Sequence, residues 1–581
     1  MNLNLVAVAL NPKARSGLER RAQHCLAYLE DAGLILDEKR ALLTEHFYAL
    51  NQNYAPGWNV PLIHEDDHKR FYSFSAPPIP VTRTINVENF WPTVTKGLHG
   101  ETDIEFLSNW FGFCIDRDTE TLTAWTDRHG IGRAYVLHND DFFAMSNHIG
   151  ALCHFATASL TLDTEAIALY AGSGFYMGAS TPLKDIYRLK PGTQVGYRPG
   201  YNVTFREYKT QQDLFERRDP ANPNYDEVAE QFQYGARNIG TLAKRTPTIG
   251  LSGGRDSRLM AAVWLSSARE AKINTIHKTD GEVTVASELM ERFKRANPDY
   301  NVDYKITKPS ATSVSQGLAD RISACFTLWD GDAPHNRMVQ NVTFAQLNRG
   351  VALSGALGEI MHGIYYLKPG QIENWLSPEE SMPQRLRSIL GTNLLSSFGK
   401  ETAAKYTEHA VEQSSRAGWQ TVVALDQFFL EEKGRRWWPQ ALYATSPLLY
   451  SAPAFARACF DMNPQDKVNN VMIREVVKRT VPEWDGVPTF KATGDELRQE
   501  VRNRINTFDT DPATFWSLFN QGHHWKQYFN EDRIANFVNL VRSEESLPYH
   551  GATLNKVVWV EETHRHFDKL NDRLRRLNLV T

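Results

Sequence analysis

Cysteine is scarce: 581 residues contain five. They are Cys25, Cys114, Cys153, Cys325 and Cys459, far apart, odd in number and with no C-x-x-C pair. This argues against a disulfide framework and a structural zinc site, and for a reducing compartment. No run of about 18 uninterrupted apolar residues occurs, so no membrane span is expected. The apolar residues 2–10 lack a basic leader and run into Asn11-Pro12, which reads as a strand and not as a signal peptide. Neither charge sign dominates: 64 Lys plus Arg face 68 Asp plus Glu, a net charge of -4. There is thus no general basic field for gripping nucleic acid or an anionic membrane. Repeats and low-complexity segments are absent. With 42% hydrophobic and 23% charged residues, the chain reads as a large globular protein with more than one core, cytoplasmic, and by its size an enzyme.

Two regions differ in pattern. Up to about residue 210 the chain is strand-rich, with short aromatic and β-branched runs at 110–115, 122–125, 135–137 and 142–144. Pro191-Gly192 and Pro199-Gly200 bracket a further strand at 193–198. This predicts an α+β front domain of antiparallel layers over residues 1–215. Residues 217–224, rich in Pro, Asn and charge, read as a linker. From Tyr225 the period becomes helical, with Val228, Phe232, Ala236 and Ile239 ending at Gly240. Strands at 248–251, 273–277, 302–306 and 351–353 then alternate with helices at 258–267 and 283–295, which predicts an α/β back domain with a parallel sheet over residues 225–581. Residues 371–417 are polar and helical in character.

The chemistry concentrates in Ser252-Gly253-Gly254-Arg255-Asp256-Ser257, between a strand and a helix. Glycines let a backbone approach closely and allow positive φ. The loop amides and the helix N-terminus make an anion site, to which the Ser252 and Ser257 hydroxyls can add donors. Asp256 would repel a bare phosphate, which makes sense if it holds a magnesium ion. Arg255 and Arg258 add positive charge. The spacing is neither that of a Walker loop nor that of a dinucleotide fold.

This loop resembles the S-G-G-x-D-S pyrophosphate loop of the ATP pyrophosphatases, a family that includes asparagine synthetases. The resemblance implies ATP and Mg2+ as cofactors, with residues 252–257 binding the phosphates. Leu353-Ser354-Gly355-Ala356-Leu357-Gly358-Glu359 is similar to the asparagine synthetase S-G-E-G-x-D-E segment. Glu359 stands at the later acidic position and would be the second magnesium ligand beside Asp256, whereas Ala356 replaces the first acid. Thr489-Phe490-Lys491-Ala492-Thr493-Gly494, after a helix at 471–477, resembles the family's closing segment, with Lys491 as the catalytic lysine offsetting charge on an acyl-adenylate and Lys467 as second choice.

The front region is similar to class II glutamine amidotransferase domains in Asp127-Arg128-His129-Gly130, Thr181 to Ile186 and Leu189-Lys190-Pro191-Gly192. Those domains use an N-terminal cysteine. Read from Met1-Asn2-Leu3, this chain would expose none, nor is the N-G-E-I-Y-N segment found. The expectation is a scaffold without glutaminase chemistry, so the nucleophile would be an amine of the substrate itself. The arginine in the loop and the alanine at 356 look most like the lasso-peptide cyclases. That resemblance implies macrolactam formation in a precursor peptide, by adenylation of an Asp or Glu side chain and attack by the N-terminal amine. A leader-cleaved core peptide would be the substrate, and a leader-binding protein and a protease the partners to look for. Alternatives are a β-lactam synthetase-like or other amide ligase, an ammonia-using relative, or an inactive scaffold. A tRNA-modifying ligase shares the loop but is disfavoured by the charge balance.

Three other features stand out. Glu431 and Glu432 are candidate general bases, beside Trp437 and Trp438 as groove aromatics, against a charged face on a packed core. Asp330-Gly331-Asp332 lines a carboxyl pocket or forms a turn. His523-His524 and His564-Arg565-His566 lack ligand spacing and are expected to be solvated.

Overall fold

The computed structural model describes residues 3–34, 39–52, 57–209, 212–215, 222–308, 314–342, 350–353, 355–366, 378–416, 422–436, 446–490, 507–543 and 548–581. The front strands are β1 (Leu3–Ala9), β2 (Lys39–Leu43), β3 (Phe47–Gln52), β4 (Ile63–Glu65), β5 (Arg70–Phe74), β6 (Phe111–Asp116), β7 (Thr121–Thr126), β8 (Tyr135–His138), β9 (Phe142–Ser146), β10 (Ile186–Arg188), β11 (Thr193–Tyr197) and β12 (Thr204–Glu207). They form two antiparallel six-stranded sheets, ordered β10-β8-β9-β1-β3-β2 and β12-β11-β7-β6-β5-β4.

The period of two explains the layering. Val6 and Val8 of β1 join Phe47, Phe111, Phe113 and Val136 in a core between the sheets. Leu5, Ala7 and Ala9 point the other way and meet Leu18, Ala22, Cys25 and Leu29 of the helix Pro12–Asp31. Every residue of β1 is therefore buried, which is why its sequence is apolar throughout. Asn11 ends the strand and caps the helix, its Oδ1 accepting from Ala14 N at 2.8 Å, with Pro12 at the first helical position. On the other sheet the helix Phe90–Leu98 sets Trp91 against Phe74, ring centroids 5.5 Å apart. The Asp127 segment is a turn held from inside: its buried carboxylate accepts from the backbone of Asn109, His129, Ile131 and Gly132.

In the back part β13 (Thr248–Gly250), β14 (Glu270–Ile276), β15 (Asn301–Thr307) and β16 (Ala352–Leu353) form a parallel sheet ordered β15-β14-β13-β16. The chain is thus a mixed α/β protein with two antiparallel sheets and one parallel four-stranded sheet. The helix Tyr225–Leu242 starts at the cap Asn224 and runs past Gly240, because Ile239 and Leu242 on its buried face continue the packing. Of the linker 217–224, residues 217–221 lie outside the described residues. The polar stretch contains the helices Pro378–Ile389 and Ser397–Arg416, with 371–377 and 417 outside the description.

The two parts are joined over a broad front. One apolar core runs through both. The C-terminal helix Pro548–Arg576 returns to the front layers, where Lys556 Nζ donates to Gly172 O at 2.5 Å and Asn571 Nδ2 to Leu160 O at 2.9 Å. Asp330 and Asp332, each 1% exposed, belong to the same joint. Asp330 accepts from the Ile149 and Gly150 amides at 2.7 and 2.9 Å. Asp332 Oδ2 accepts from Arg436 NH1 at 2.6 Å and Tyr135 OH at 2.5 Å. Both carboxylates are consumed by these bonds and the stretch turns at its helix end, Asp332 N donating to Trp329 O at 2.8 Å, so the turn reading holds over the carboxyl pocket and the two acids anchor the back part to the front. Among the described residues no helix is long and apolar enough to cross a membrane.

Candidate functional site

The order β15-β14-β13-β16 reverses direction between β13 and β16, and in open parallel sheets such a switch point opens a crevice at the carboxyl ends of the strands. The loop after β13 leads to Asp256 at the start of a helix, and the segment after β16 leads to Glu359 on a 3-10 turn. They close on each other. A Cβ on Gly355 would lie 2.8 Å from Asp256 Cβ, and one on Gly358 would lie 2.9 Å from Asp256 Oδ1. Tyr450 OH donates to Asp256 O at 2.8 Å. Ser354 lies outside the described residues, and Ala356, where a first acid was sought, is packed in the core.

The serines do less than the sequence reading expected of them. Ser257 Oγ accepts from Ser252 N at 3.0 Å, Ser252 Oγ accepts from Gly254 N at 3.1 Å, and the two hydroxyls bond each other at 2.9 Å. The mutual bond uses one hydroxyl hydrogen and leaves one for a ligand. The remaining donors are first-turn amides of the helix Asp256–Ser267, which no helical carbonyl can use. The glycines also act differently from expectation, since neither Gly253 nor Gly254 has positive φ. Gly253 is required by close packing: a Cβ there would meet Phe490 Cβ at 2.7 Å and Glu282 Cα at 3.0 Å. Gly254 would meet only Ser252 Oγ, at 3.1 Å.

Phe490 is thereby part of the site. Its N–H donates to Gly253 O at 2.8 Å, and Arg258 fastens the same segment by donating to Val487 O and Pro488 O at 2.6 and 2.8 Å. Arg258 is 4% exposed, so its charge serves this segment and is not offered to a ligand, contrary to the sequence reading. Arg255 reaches outward to Asn470 Oδ1 at 2.7 Å. Lys491 follows Phe490 in the chain and lies outside the described residues. Lys467 is buried, its Nζ 2.6 Å from Asp426 Oδ2, which also accepts from Tyr366 OH at 2.6 Å. That makes Lys467 a structural cation.

The site has more carboxylate than cation. Asp256 Oδ1 lies 2.5 Å from His362 Nε2, while its side chain stays 38% exposed. Glu359 Oε2 is buried with no partner, and burial pushes the carboxyl up to about 7, the Asp256 charge adding to the shift and Lys433 opposing it. Glu282 Oε2, behind Gly253, is likewise buried and unpaired. Among the described residues Asp256, Glu359 and His362 are not drawn into one cage with all ligand atoms within 4.8 Å. An orphaned buried carboxylate next to an exposed one nevertheless fits Mg2+, which takes one or two carboxylates and fills its shell with waters and phosphate oxygens. Sequence reasoning missed His362 and Glu282. The first stands three residues after Glu359, as the C-cap of the 3-10 turn Gly358–Met361, a spacing that shares one face.

Glu431 and Glu432 lie on the π-helical turn Phe429–Lys433. Glu432 Oε2 accepts from Gly178 N of the front part at 2.5 Å. Glu431 Oε1 accepts from Gln427 Nε2 at 3.1 Å, and burial pushes its carboxyl up to about 7. Neither contacts the loop, and the member of this turn nearest Glu359 in charge is Lys433. Trp437 and Trp438 lie outside the described residues. No family model and no curated protein matches the chain.

Proposed function

We propose that the chain is an ATP- and Mg2+-dependent amide-forming ligase of the asparagine synthetase-like kind. It adenylates a carboxylate of a peptide and lets an amine of the same peptide close a macrolactam, as the lasso-peptide cyclases do. The observation that carries this reading is the meeting of two glycine loops at the sheet's switch point around Asp256, with an unpaired buried carboxylate on Glu359 beside it. The antiparallel layers in front and the parallel sheet behind are the architecture the resemblance implies.

Each residue then has a task. The first-turn amides and the one free serine hydrogen hold phosphate oxygens, with Arg255 at the exposed mouth. Asp256 and Glu359 would hold magnesium, with His362 fixing one Asp256 oxygen and leaving the other available. Bound there, magnesium neutralises charge on the phosphates. The substrate carboxylate forms a bond to the α-phosphorus as the bond to the bridging oxygen breaks and pyrophosphate leaves. The amine nitrogen then attacks the acyl carbon, AMP departs with the bonding electron pair, and the nitrogen gives up a proton. That proton passes to solvent water, the Glu431 carboxylate being bonded to Gln427. The segment pinned on Gly253 leads into Lys491, whose cation would offset the charge that develops.

The choice of an internal amine over ammonia rests on the thiols. All five cysteines are buried. Burial raises every one of them, Cys114 to about 12, which disfavours the thiolate that glutamine hydrolysis would need. The test is isotope exchange between pyrophosphate and ATP in the presence of Mg2+ and a precursor-type peptide with an Asp or Glu at the ring position. Exchange is expected, falling about 10³-fold in Asp256→Ala with the fold intact. No exchange with any such peptide, or full exchange in Asp256→Ala, would overturn the reading.

A further inference from the structure

A second set of ligand-type side chains lies far from the glycine loops in sequence. Among the described residues, His523, His524 and Glu561 bring one ligand atom each to within 4.8 Å of one another. The histidines follow the helix Pro512–Gln521, and Glu561 lies on the C-terminal helix Pro548–Arg576. Gly522 is what allows the approach: a Cβ there would meet Glu561 Cγ at 2.6 Å and Cδ at 2.8 Å. The carboxylate is 1% exposed, and no lysine or arginine pairs with it among the described residues. Its Oε1 accepts from Trp525 N at 2.7 Å, which fixes the group and leaves the other oxygen for a ligand.

We propose that His523, His524 and Glu561 bind a divalent transition-metal ion of the zinc class, clipping the turn His524–Gln527 to the C-terminal helix. Two imidazole nitrogens and one carboxylate oxygen are a zinc donor set, and three protein ligands leave a fourth position for water. On a tetrahedral ion the ligand atoms stand roughly 3.3 Å apart, so the group closes by about an ångström or so as the metal enters. His523 is exposed and gives the ion a way in, while Glu561 lies at the buried end.

His564 is a positioning residue here. One helical turn along from Glu561, it stacks on His524 with ring centroids 4.3 Å apart and planes 5° apart, and its Nε2 is bonded to Tyr528 OH at 3.1 Å. The stack and the Tyr528 bond hold the His524 ring against the C-terminal helix beside Glu561. The linear spacing concealed this arrangement because its members come from separate segments. The helix it would clip also carries Lys556 and Asn571 onto the front layers, so the metal would tie three parts of the chain together.

The test uses the full chain, stripped with chelator, equilibrated with zinc chloride and desalted, with zinc content and Tm read together. About one zinc per chain is expected, with a Tm that rises with zinc concentration. Glu561→Gln and the double variant His523→Ala/His524→Ala should lose both, while His409→Ala, on an exposed helical position, keeps both. Should Glu561→Gln fail to fold, the double variant decides alone, since His523 is exposed. Absence of stoichiometric zinc in the wild type, or zinc retained by the double variant, would overturn the proposal. Neither readout involves ATP or Mg2+, so it stands or falls apart from the ligase reading.

Discussion

Asp330 and Asp332 at the domain joint and Asp256 and Glu359 at the glycine loops are both acidic pairs at ends of secondary structure, but their surroundings differ. At the joint, burial alone would raise Asp332, yet Arg436, Arg133 and Arg188 pull its carboxyl down to about 2. Asp330 is capped by two amides. At the loops Glu359 has no partner on Oε2 and is raised to about 7, and Asp256 has one imidazole. A buried carboxylate surrounded by guanidinium groups and amides is finished within the chain and holds two parts together. A carboxylate left in surplus costs stability, which a cation from outside would offset.

That contrast breaks most visibly at Asp332. Asp332→Asn leaves Arg133, Arg188 and Arg436 buried without their shared acid, and a loss of about 3–5 kcal/mol is expected in denaturant unfolding. A variant as stable as the wild type would remove the distinction between the pairs.

Glu359→Gln should go the other way. Exchange activity falls about 10²-fold, with a higher Mg2+ requirement, while stability stays level or rises because a buried charge is gone. The pH dependence follows from the sign. The folded state keeps a proton on Glu359 up to about 7, whereas the unfolded chain releases it near the ordinary 4.5. The unfolded state therefore binds fewer protons between these values, and wild-type stability falls relative to Glu359→Gln as pH rises through that window. Parallel melting curves of the two proteins from pH 4 to 8 check this.

The smallest effect separates the loop glycines. Gly253→Ala meets backbone and the Phe490 Cβ and should lower exchange about 10-fold by loosening the closing segment. Gly254→Ala, facing only a serine hydroxyl, should cost less. Equal effects would mean that ligand approach, and not Phe490, fixes the first glycine.

Periodicity made much of the fold legible. The apolar run 2–10 reads as a strand and 283–295 as a helix, and the structure places them at Leu3–Ala9 and Asp280–Ala296. Boundaries moved where a cap or packing extended an element, as at Leu242. The loop motif marked Asp256 because a strand, two glycines and a helix start lie together in the chain. His362 could not be weighted in the same way, since only the approach of the β16 loop gives it Asp256 as a partner. Nor could Arg258 be assigned, because the carbonyls it binds are about 230 residues away.

By itself, the sequence determined that a strand-rich front gives way to alternating strands and helices, which loop sets Gly253 and Gly254 between a strand and a helix, and that no charge excess or cysteine framework governs the molecule. Those are local properties, set by side-chain period and backbone freedom. The tertiary structure decided which charges are matched. It spent Asp330, Asp332, Lys467 and Arg258 on holding the chain together, and it left Glu359 unpaired beside Asp256. Charge matching depends on distance through space, and residues hundreds of positions apart acquire that distance only when the chain folds.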